Sequence, residues 1–443
     1  MKDAFDRYLR TLERTERMPL PALARYQEEL LIRLVRHAYE RIPFYRERLD
    51  CLFTAAGDVD LSRWNAVPVL KRDDVIAHGR KLRVAELAPE YGEIGEARTS
   101  GSSGVPLEVA TNGLVFFNSN ALLTRATRWW GLNTSRPLAA LRLFINEPVA
   151  PYPIGNIKKG WSYAAPEAPI YELELMTPVE QQLEWLARYK APYLLTQASG
   201  ALALAHAVKP DQGRELGIEM IIAIGETIPD GTREFVAERL GARLAAIYSC
   251  QEIGTIATEC SIERHYHVAA ENALVEILDE KGRDVAPGER GRVIVTGIYN
   301  YVMPFIRYEL GDIAVAGTRA CTCGRTLPVI TRIEGRTRNM FVFRDGSRVW
   351  PRSGIMRPMH AFVPFRQYQL VQLDYETIEF RYIPDGSGRE PDLAGLNAHA
   401  RKVFHPSVIC IVRALECFAP EPSGKFEQFL SRVPAAARPA APM

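Results

Sequence analysis

The spacing of apolar residues along the chain follows two different periods. From Leu23 to Ala38 apolar side chains recur every three or four residues, which predicts an amphipathic helix. Further on, short apolar runs predict strands, and they alternate with segments of helical pattern. Strands are expected at 141–145, 193–196, 220–224 and 244–248, and helices at 114–130, 179–190, 199–208 and 230–240. This alternation predicts an α/β fold with a largely parallel sheet.

The pattern changes towards the C-terminus. Residues 273–278 and 292–297 are alternating runs separated by a polar turn, which predicts a strand pair and the start of a β-rich lobe. Later segments predict a compact α+β region, with strands near 368–373 and 377–382 and a helix near 392–404. The expected domains are a large one over 1–336, a small one over 337–433 and a disordered Pro- and Ala-rich tail at 434–443.

Charge and cysteine content narrow the possible partners and environment. The chain has 55 Lys and Arg against 53 Asp and Glu, a formal charge of +2, so nothing indicates a nucleic-acid or membrane surface. We expect small-molecule partners instead. The charged start of the chain and the lack of a long apolar run predict a cytoplasmic protein. Seven cysteines in such a chain favour free thiols or metal ligands over disulfides.

One loop combines hydroxyl groups with backbone freedom. Glycines let the backbone approach a ligand closely, and the neighbouring hydroxyls add side-chain donors, so the loop suits phosphate oxygens. Its spacing is not that of a Walker loop. The residues are Thr99, Ser100, Gly101, Ser102, Ser103 and Gly104.

Five further stretches follow this loop in a fixed order. They are Gly225-Glu226-Thr227-Ile228-Pro229, Tyr248-Ser249-Cys250-Gln251-Glu252, Arg307-Tyr308-Glu309-Leu310-Gly311-Asp312, Gly335-Arg336 and Ser423-Gly424-Lys425-Phe426. With the loop they resemble the acyl-adenylate-forming (AMP-binding) superfamily, in its short branch of phenylacetate–coenzyme A ligases, over residues 25–433. The resemblance implies the adenylate-forming enzyme fold with a mobile C-terminal domain. It also implies that ATP and Mg²⁺ activate a small, aromatic or other organic, carboxylic acid as an acyl-adenylate, which is then passed to an acceptor such as coenzyme A.

The same resemblance implies a role for each stretch. Lys425 would bridge the substrate carboxylate and the α-phosphate, and Glu252 would hold Mg²⁺. Asp312 would accept both ribose hydroxyls, and Arg336 would contact ribose or phosphate. The hydroxyl-rich loop would hold the β- and γ-phosphates. Residues expected to line the adenine are Gly225, Glu226, Tyr248 and Ser249.

The chain departs from the family pattern at two places that bear on the acceptor. Ser249 and Gln251 stand where the family has glycine and a hydroxyl residue, and Arg338-Asn339 stands where it has acidic hinge residues. An amine or hydroxyl acceptor is therefore an alternative to coenzyme A. A non-catalytic nucleotide-binding scaffold is an alternative to an enzyme.

Candidates for the acid pocket are Trp129, Trp130, Trp161 and Gln197. A homodimer is compatible with the sequence.

A separate group of residues suits zinc. Three thiols and one imidazole would make a closed tetrahedral site of the structural type, with no position left for catalysis. His267 is favoured over His265 as the imidazole, because relatives in the short branch have a histidine aligned with it. The expected ligands are Cys260, His267, Cys321 and Cys323.

Overall fold

The computed structural model describes residues 2–98, 107–144, 149–209, 212–318, 321–336, 340–349, 351, 357–416, 418 and 428–433. The helices are α1 (Lys2–Thr15), α2 (Leu20–Arg41), α3 (Pro43–Leu49), α4 (Arg72–His78), α5 (Gly113–Trp129), α6 (Val179–Tyr189), α7 (Ala198–Ala207), α8 (Gln212–Glu215), α9 (Thr232–Leu240) and α10 (Leu393–Val403). Within these ranges, no helix is both long enough and apolar enough to cross a bilayer.

The strands are β1 (Ile94–Arg98), β2 (Glu108–Asn112), β3 (Leu138–Arg142), β4 (Asn156–Lys159), β5 (Pro169–Glu174), β6 (Tyr193–Thr196), β7 (Met220–Ile224), β8 (Arg243–Cys250), β9 (Gly254–Glu259) and β10 (Tyr266–Val268). They continue with β11 (Ala273–Leu278), β12 (Arg290–Gly297), β13 (Tyr308–Ala316), β14 (Val329–Arg336), β15 (Phe341–Val342), β16 (Arg348–Val349), β17 (Phe365–Gln372), β18 (Thr377–Pro384), β19 (Ile409–Ala414) and β20 (Phe429–Ser431).

The largest sheet has twelve strands in the order β11-β12-β13-β14-β10-β9-β8-β7-β6-β3-β5-β4. Strands β8, β7, β6, β3 and β5 pair in parallel in that order. The pairs β8–β9, β9–β10 and β11–β12 are antiparallel. β14 lies between β13 and β10 and thereby joins the two halves of the sheet. The α/β fold expected from the alternating pattern is confirmed.

Tertiary contacts divide the chain into two compact units. The first comprises residues 1–226 and 236–333, and the second comprises 227–235 and 334–443. The first unit contains the twelve-stranded sheet, with α1 packed on α5 through Phe5, Leu9 and Leu12. The second has a four-stranded sheet in the order β19-β18-β17-β20. Leu370 and Phe380 of this sheet lie in one buried core with Leu396 of α10.

Candidate functional site

Two predicted stretches lie at the carboxyl ends of adjacent parallel strands. β7 ends at Ile224 and is followed by Gly225 and Glu226, and Tyr248 and Ser249 occupy the end of β8. β6, β7 and β8 are parallel neighbours, so their carboxyl ends meet at one edge of the sheet. In open α/β sheets this is the edge at which ligands bind. The fold thus brings the 225–226 and 248–252 stretches together at a suitable place.

Glu226 anchors the loop after β7 to the start of α7. The backbone N–H of Ser199 donates to Glu226 Oε2 at 2.9 Å, and the Ser199 hydroxyl lies 3.0 Å from Oε1. The first N–H groups of a helix lack intrahelical acceptors, and a carboxylate there is also favoured by the helix dipole. The side chain of Glu226 therefore holds the loop in place.

A direct hydrogen bond links the Tyr248 stretch to Asp312. The Tyr248 hydroxyl donates to Asp312 Oδ2 at 2.6 Å. Asp312 lies within β13, where the pairing with β12 is irregular between Arg292 and Ile294, and Gly311 has a φ of +77°. A bulge of this kind redirects side chains, and glycine adopts a positive φ without strain. The bulge therefore lies at the place where the Asp312 side chain is directed towards the carboxyl end of β8.

Glu252 lies in the tight turn between β8 and β9, and only 6% of its surface is exposed. Its backbone carbonyl accepts a hydrogen bond from Asn300 Nδ2 at 3.2 Å. Desolvation of the nearby Cys250 thiol raises its pKa well above the ordinary value, and the Glu252 carboxylate raises it further. Cys250 is therefore a neutral neighbour of Glu252, and it does not compete with that carboxylate for a cation.

Several expected site residues lie outside the described part of the chain. They are the hydroxyl-rich loop Thr99, Ser100, Gly101, Ser102, Ser103 and Gly104, the hinge residues Arg338 and Asn339, and Lys425. Arg336 is the last residue of β14. The strands on either side of the loop, β1 and β2, pair antiparallel with Arg98 opposite Glu108, so the loop connects the two strands of a hairpin.

The tryptophans expected to line the acid pocket are buried in an apolar cluster. Trp129, Trp130 and Trp161 pack in a buried cluster with Leu138, Tyr193 and Met220, which are the first residues of β3, β6 and β7. The same cluster also includes Ile247 of β8, with Ile224 at the end of β7 packed against it, so the pocket assignment stays a prediction. The apolar bulk of tryptophan serves the core here. Gln197 does follow β6 at the carboxyl edge.

The cysteine and histidine residues do come together. One ligand atom each from Cys260, His265, His267 and Cys321 lies within 4.8 Å of the others. Cys323 Sγ is 3.2 Å from His267 Nε2, and the sulfurs of Cys260 and Cys321 are 3.7 Å apart. The sequence ranked His265 below His267, but the fold places their Nε2 atoms 3.4 Å apart. The cluster thus has five donors where four were expected.

The surroundings of the cluster shift the pKa values of its ligand groups in different directions. Burial lowers the pKa of His267 to about 4, so the ring is neutral at physiological pH. Burial opposes ionisation of Cys323, but the backbone N–H and guanidinium of Arg325 contribute to a net lowering of its pKa. Backbone N–H groups donate to the sulfurs of Cys260 and Cys321, each at 3.4 Å. Burial nevertheless raises the pKa of Cys321 to about 12, so these surroundings do not favour its thiolate, the form that binds metals.

The cluster is remote from the Glu252 turn. Cys260 follows the far end of β9, which runs antiparallel to β8. β9 has six residues, and at about 3.4 Å per residue its first and last Cα atoms lie roughly 17 Å apart. A metal held at the cluster is thus far from the Glu252 turn, whereas Tyr248, which pairs with Ala257, lies about 10 Å along the strand from Cys260.

Arg307, the first residue of the 307–312 stretch, has a structural role that its sequence pattern does not indicate. It has 2% of its surface exposed and a φ of +49°. Its guanidinium pairs with buried Glu276 at 2.9 and 3.2 Å and donates to the carbonyls of Val67 and Asn65 at 2.6 and 3.1 Å. These contacts are more than 30 residues distant in sequence, so the local pattern carries no sign of them.

Comparison with known proteins agrees with this fold. No protein-family model matches the chain. The chain is 28% identical over 370 residues to a phenylacetate–coenzyme A ligase of Thermus thermophilus, covering 80% of this chain and 79% of the relative. It is 24% identical over 357 residues to a phenylacetate–coenzyme A ligase of Pseudomonas putida, covering 77% and 76%. Among solved structures, a 2-hydroxyisobutyryl-CoA ligase in complex with an acyl-adenylate superposes with a TM-score of 0.73 and 18% identity, covering 96% of this chain and 92% of that one.

Proposed function

We propose, from the premise that this chain belongs to the adenylate-forming superfamily in its short phenylacetate–coenzyme A ligase-like branch, that it joins a small carboxylic acid to AMP at the expense of ATP. The acyl group of the adenylate is then transferred to an acceptor, for which coenzyme A is the first candidate. The observation that carries this proposal is the hydrogen bond between Tyr248 and Asp312 at the carboxyl edge, with Glu252 in the adjoining turn. Tyr248 and Asp312 come from two distant stretches, and their contact suits a nucleotide site.

In this mechanism the described residues bind and orient the nucleotide. Asp312 accepts hydrogen bonds from the ribose hydroxyls, a role for which a carboxylate offers two acceptor oxygens. The ring of Tyr248 packs beside the adenine, together with the backbone of Gly225, Glu226 and Ser249. Glu252 would be a ligand for Mg²⁺, which when bound offsets negative charge on the phosphates. A buried carboxylate in a tight turn fits this hard cation.

The remaining roles rest on the sequence resemblance. The loop from Thr99 to Gly104 holds the β- and γ-phosphates, Arg336 contacts ribose or phosphate, and residues 337–433 form the lid domain. Lys425 places its ammonium between the substrate carboxylate and the α-phosphate. As the carboxylate oxygen attacks phosphorus and pyrophosphate departs, this cation stabilises the charge that develops.

The hinge sequence favours a second candidate acceptor. Arg338 and Asn339 replace the acidic residues that accompany lid rotation in the family, and that rotation precedes attack by the thiol of coenzyme A. An amine or hydroxyl acceptor would be the alternative.

The proposal is tested by pyrophosphate exchange. Purified protein, Mg·ATP and radiolabelled pyrophosphate are incubated with a panel of aromatic and short aliphatic acids. Acid-dependent labelling of ATP supports adenylation, and binding of ATP without exchange for any acid would indicate a scaffold. The best acid is then supplied with coenzyme A, hydroxylamine or a simple alcohol, and products are identified by mass spectrometry. Rapid thioester formation identifies coenzyme A as the acceptor, and its absence with efficient capture by the other nucleophiles favours the alternative.

Asp312→Ala is expected to weaken Mg·ATP binding by roughly 10- to 100-fold, because two charge-assisted hydrogen bonds to the ribose are lost. Tyr248→Phe removes only the hydroxyl that contacts Asp312 and should have a smaller effect in the same direction. Calorimetry measures both affinities.

The control for this prediction is the nucleotide itself. Wild-type protein should bind 2′,3′-dideoxy-ATP more weakly than ATP, whereas Asp312→Ala should not distinguish the two. Unaltered ATP affinity in Asp312→Ala would remove this residue from the site.

We also propose that the cysteine–histidine cluster holds one structural Zn²⁺. The donor set of thiols and imidazoles within 4.8 Å fits this borderline-soft ion, and the neutral His267 ring is the form that binds it. Cys260, His267, Cys321 and Cys323 are the proposed ligands. His265 is the alternative to Cys323 as the fourth ligand. When bound, the metal ties the turn after β9 to residues 321–323.

Chelation of this metal is expected to lower the melting temperature by roughly 5 °C or more, because metal bonds present only in the folded state contribute to its stability. Elemental analysis should find about one zinc per chain. In Co²⁺-loaded protein, Cys323→Ser should reduce the thiolate-to-metal absorption and His265→Ala should not. Cys51→Ser, a thiol elsewhere in the first unit, is the matched control. Less than about a tenth of one zinc per chain, with no change on reconstitution, would leave these residues as ordinary buried thiols.

A further inference from the structure

A single buried amide ties the turn that carries Glu252 to strand β2. Asn300 has 1% of its surface exposed. Its Nδ2 donates to the carbonyl of Glu252 at 3.2 Å and to the carbonyl of Ala110 at 3.0 Å. Its Oδ1 accepts from the backbone N–H of Met303 at 3.1 Å. Both amide hydrogens and the carbonyl oxygen are therefore in use, and no other side chain of similar size offers two donors and an acceptor in this geometry.

The segment around Asn300 is itself fixed to the same strand. The backbone N–H of Tyr301 donates to Asn112 Oδ1 at 2.9 Å, and Asn112 is the last residue of β2. Asn112 Nδ2 in turn donates to the carbonyl of Tyr91 at 3.1 Å, and the rings of Tyr91 and Tyr301 stack at 4.4 Å. Asn300 thus projects from a rigid support, which is the condition for positioning another group accurately.

The far side of the Glu252 turn is also held. Asn272 Nδ2 donates to the carbonyl of Thr255 at 2.7 Å. Gly254 has a φ of +85°, and a Cβ there would collide with the Ser119 hydroxyl of α5. The Asn300 amide adds a direct hydrogen-bonded link between this turn and β2.

We propose that Asn300 is a positioning residue for the Mg²⁺-dependent part of nucleotide binding. It keeps the Glu252 carboxylate in register with β2, the strand that follows the hydroxyl-rich loop in sequence. This inference rests on the proposed function, because it assumes that Glu252 serves a cation held with the phosphates. Small displacements of such groups have large effects, since a misplacement of about 1 Å can reduce a rate about 100-fold.

The test is the affinity for ATP measured by calorimetry with Mg²⁺ and again with EDTA. Asn300→Ser keeps one donor, and Asn300→Asp keeps the acceptor but places an oxygen against two carbonyls. Either variant is expected to bind Mg·ATP about 10- to 100-fold more weakly than wild type, with ATP affinity in EDTA changed less than about twofold. A merely structural role would lower both affinities together. If Asn300→Asp does not fold, Asn300→Ser alone decides the question.

Asn120→Asp is the matched control. Asn120 also donates to a backbone carbonyl, that of Trp161 at 3.3 Å, and accepts from a backbone N–H, that of Tyr163 at 2.9 Å. Asn120 lies on α5 beside Trp161 and has no hydrogen bond to the Glu252 turn among the described contacts. Asn120→Asp should therefore leave both affinities unchanged. A second control is the double variant Asn300→Ser/Glu252→Gln. If Asn300 acts through Glu252, the double variant should bind Mg·ATP no more weakly than Glu252→Gln alone.

The outcomes separate the inference from the proposed function. Wild-type binding of Mg·ATP with equal binding by the Asn300 variants would overturn the inference and leave the function standing. Additive effects of the two substitutions would also overturn it, because Asn300 would then act independently of Glu252. Failure of the wild type to bind Mg·ATP at all would overturn the proposed function and the inference with it.

Discussion

Replacing Lys425 by alanine is expected to reduce adenylate formation by about 100- to 1,000-fold or more, with the ATP dissociation constant nearly unchanged. The reason is that the ammonium contacts the carboxylate and α-phosphate most strongly when charge develops between them. An interaction made mainly in the transition state affects the rate and has little effect on ground-state binding. Acid-dependent pyrophosphate exchange measures the rate, and calorimetry measures ATP binding.

Two controls isolate the step at which Lys425 acts. Lys402→Ala removes an exposed lysine at the end of α10 and should leave exchange unchanged. Supplying a synthetic acyl-adenylate bypasses the first step, so the Lys425→Ala protein should transfer the acyl group at close to the wild-type rate. Unchanged pyrophosphate exchange in Lys425→Ala would show that another group supplies the cation.

Arg307→Met is expected to lower the free energy of unfolding by about 3–5 kcal/mol, because it leaves the Glu276 carboxylate buried without its partner. Glu276 has 7% of its surface exposed, and burial raises its pKa although Arg307 opposes the rise. Trp64 Nε1 also donates to Glu276 at 3.1 Å, so the loss would reach the segment before α4. Urea unfolding followed by circular dichroism measures the change.

A matched pair on the surface provides the comparison. Arg136 contacts Glu219 at 2.7 and 2.9 Å, with the same two-point geometry, but both side chains are about half exposed. Arg136→Met should change stability by no more than about 1 kcal/mol. The double variant Arg307→Met/Glu276→Leu should regain most of the lost stability, because no unpaired charge remains. A loss at Arg307 no larger than that at Arg136 would contradict the prediction.

The elements with a strong apolar signal were predictable from sequence. β6, β7 and β11 have the expected bounds, and the helices expected near 179–190 and 199–208 are α6 and α7. Burial on both faces of β6 and β7 produces continuous apolar runs, and the alternation in β11 is typical of an antiparallel strand. α1 was not predicted, although Phe5, Leu9 and Leu12 have helical spacing, because charged residues outnumber the apolar ones in this segment. β1 and β2 have few apolar residues, and their pairing across a loop leaves no local pattern.

The candidate site was predictable as motifs and not as contacts. The stretches containing Tyr248 and Asp312 were both singled out, but nothing in their spacing indicates that the two side chains share a hydrogen bond. Similarly, His265 and His267 are two residues apart, and which of them joins the thiols depends on how the turn after Cys260 is built. Asn300 carried no signal at all, because its partners are backbone carbonyls 48 and 190 residues away.

The place of β14 has a consequence for how the chain is made. Until residues 329–336 leave the ribosome, β10 and β13 each present an unpaired edge, and the two halves of the large sheet remain separate. Exposed strand edges pair readily with other chains during synthesis. A nascent chain that stalls between residues 316 and 329, or an expressed fragment ending there, would therefore need a chaperone to cover these edges, whereas a fragment ending after β14 would carry the complete order of twelve strands.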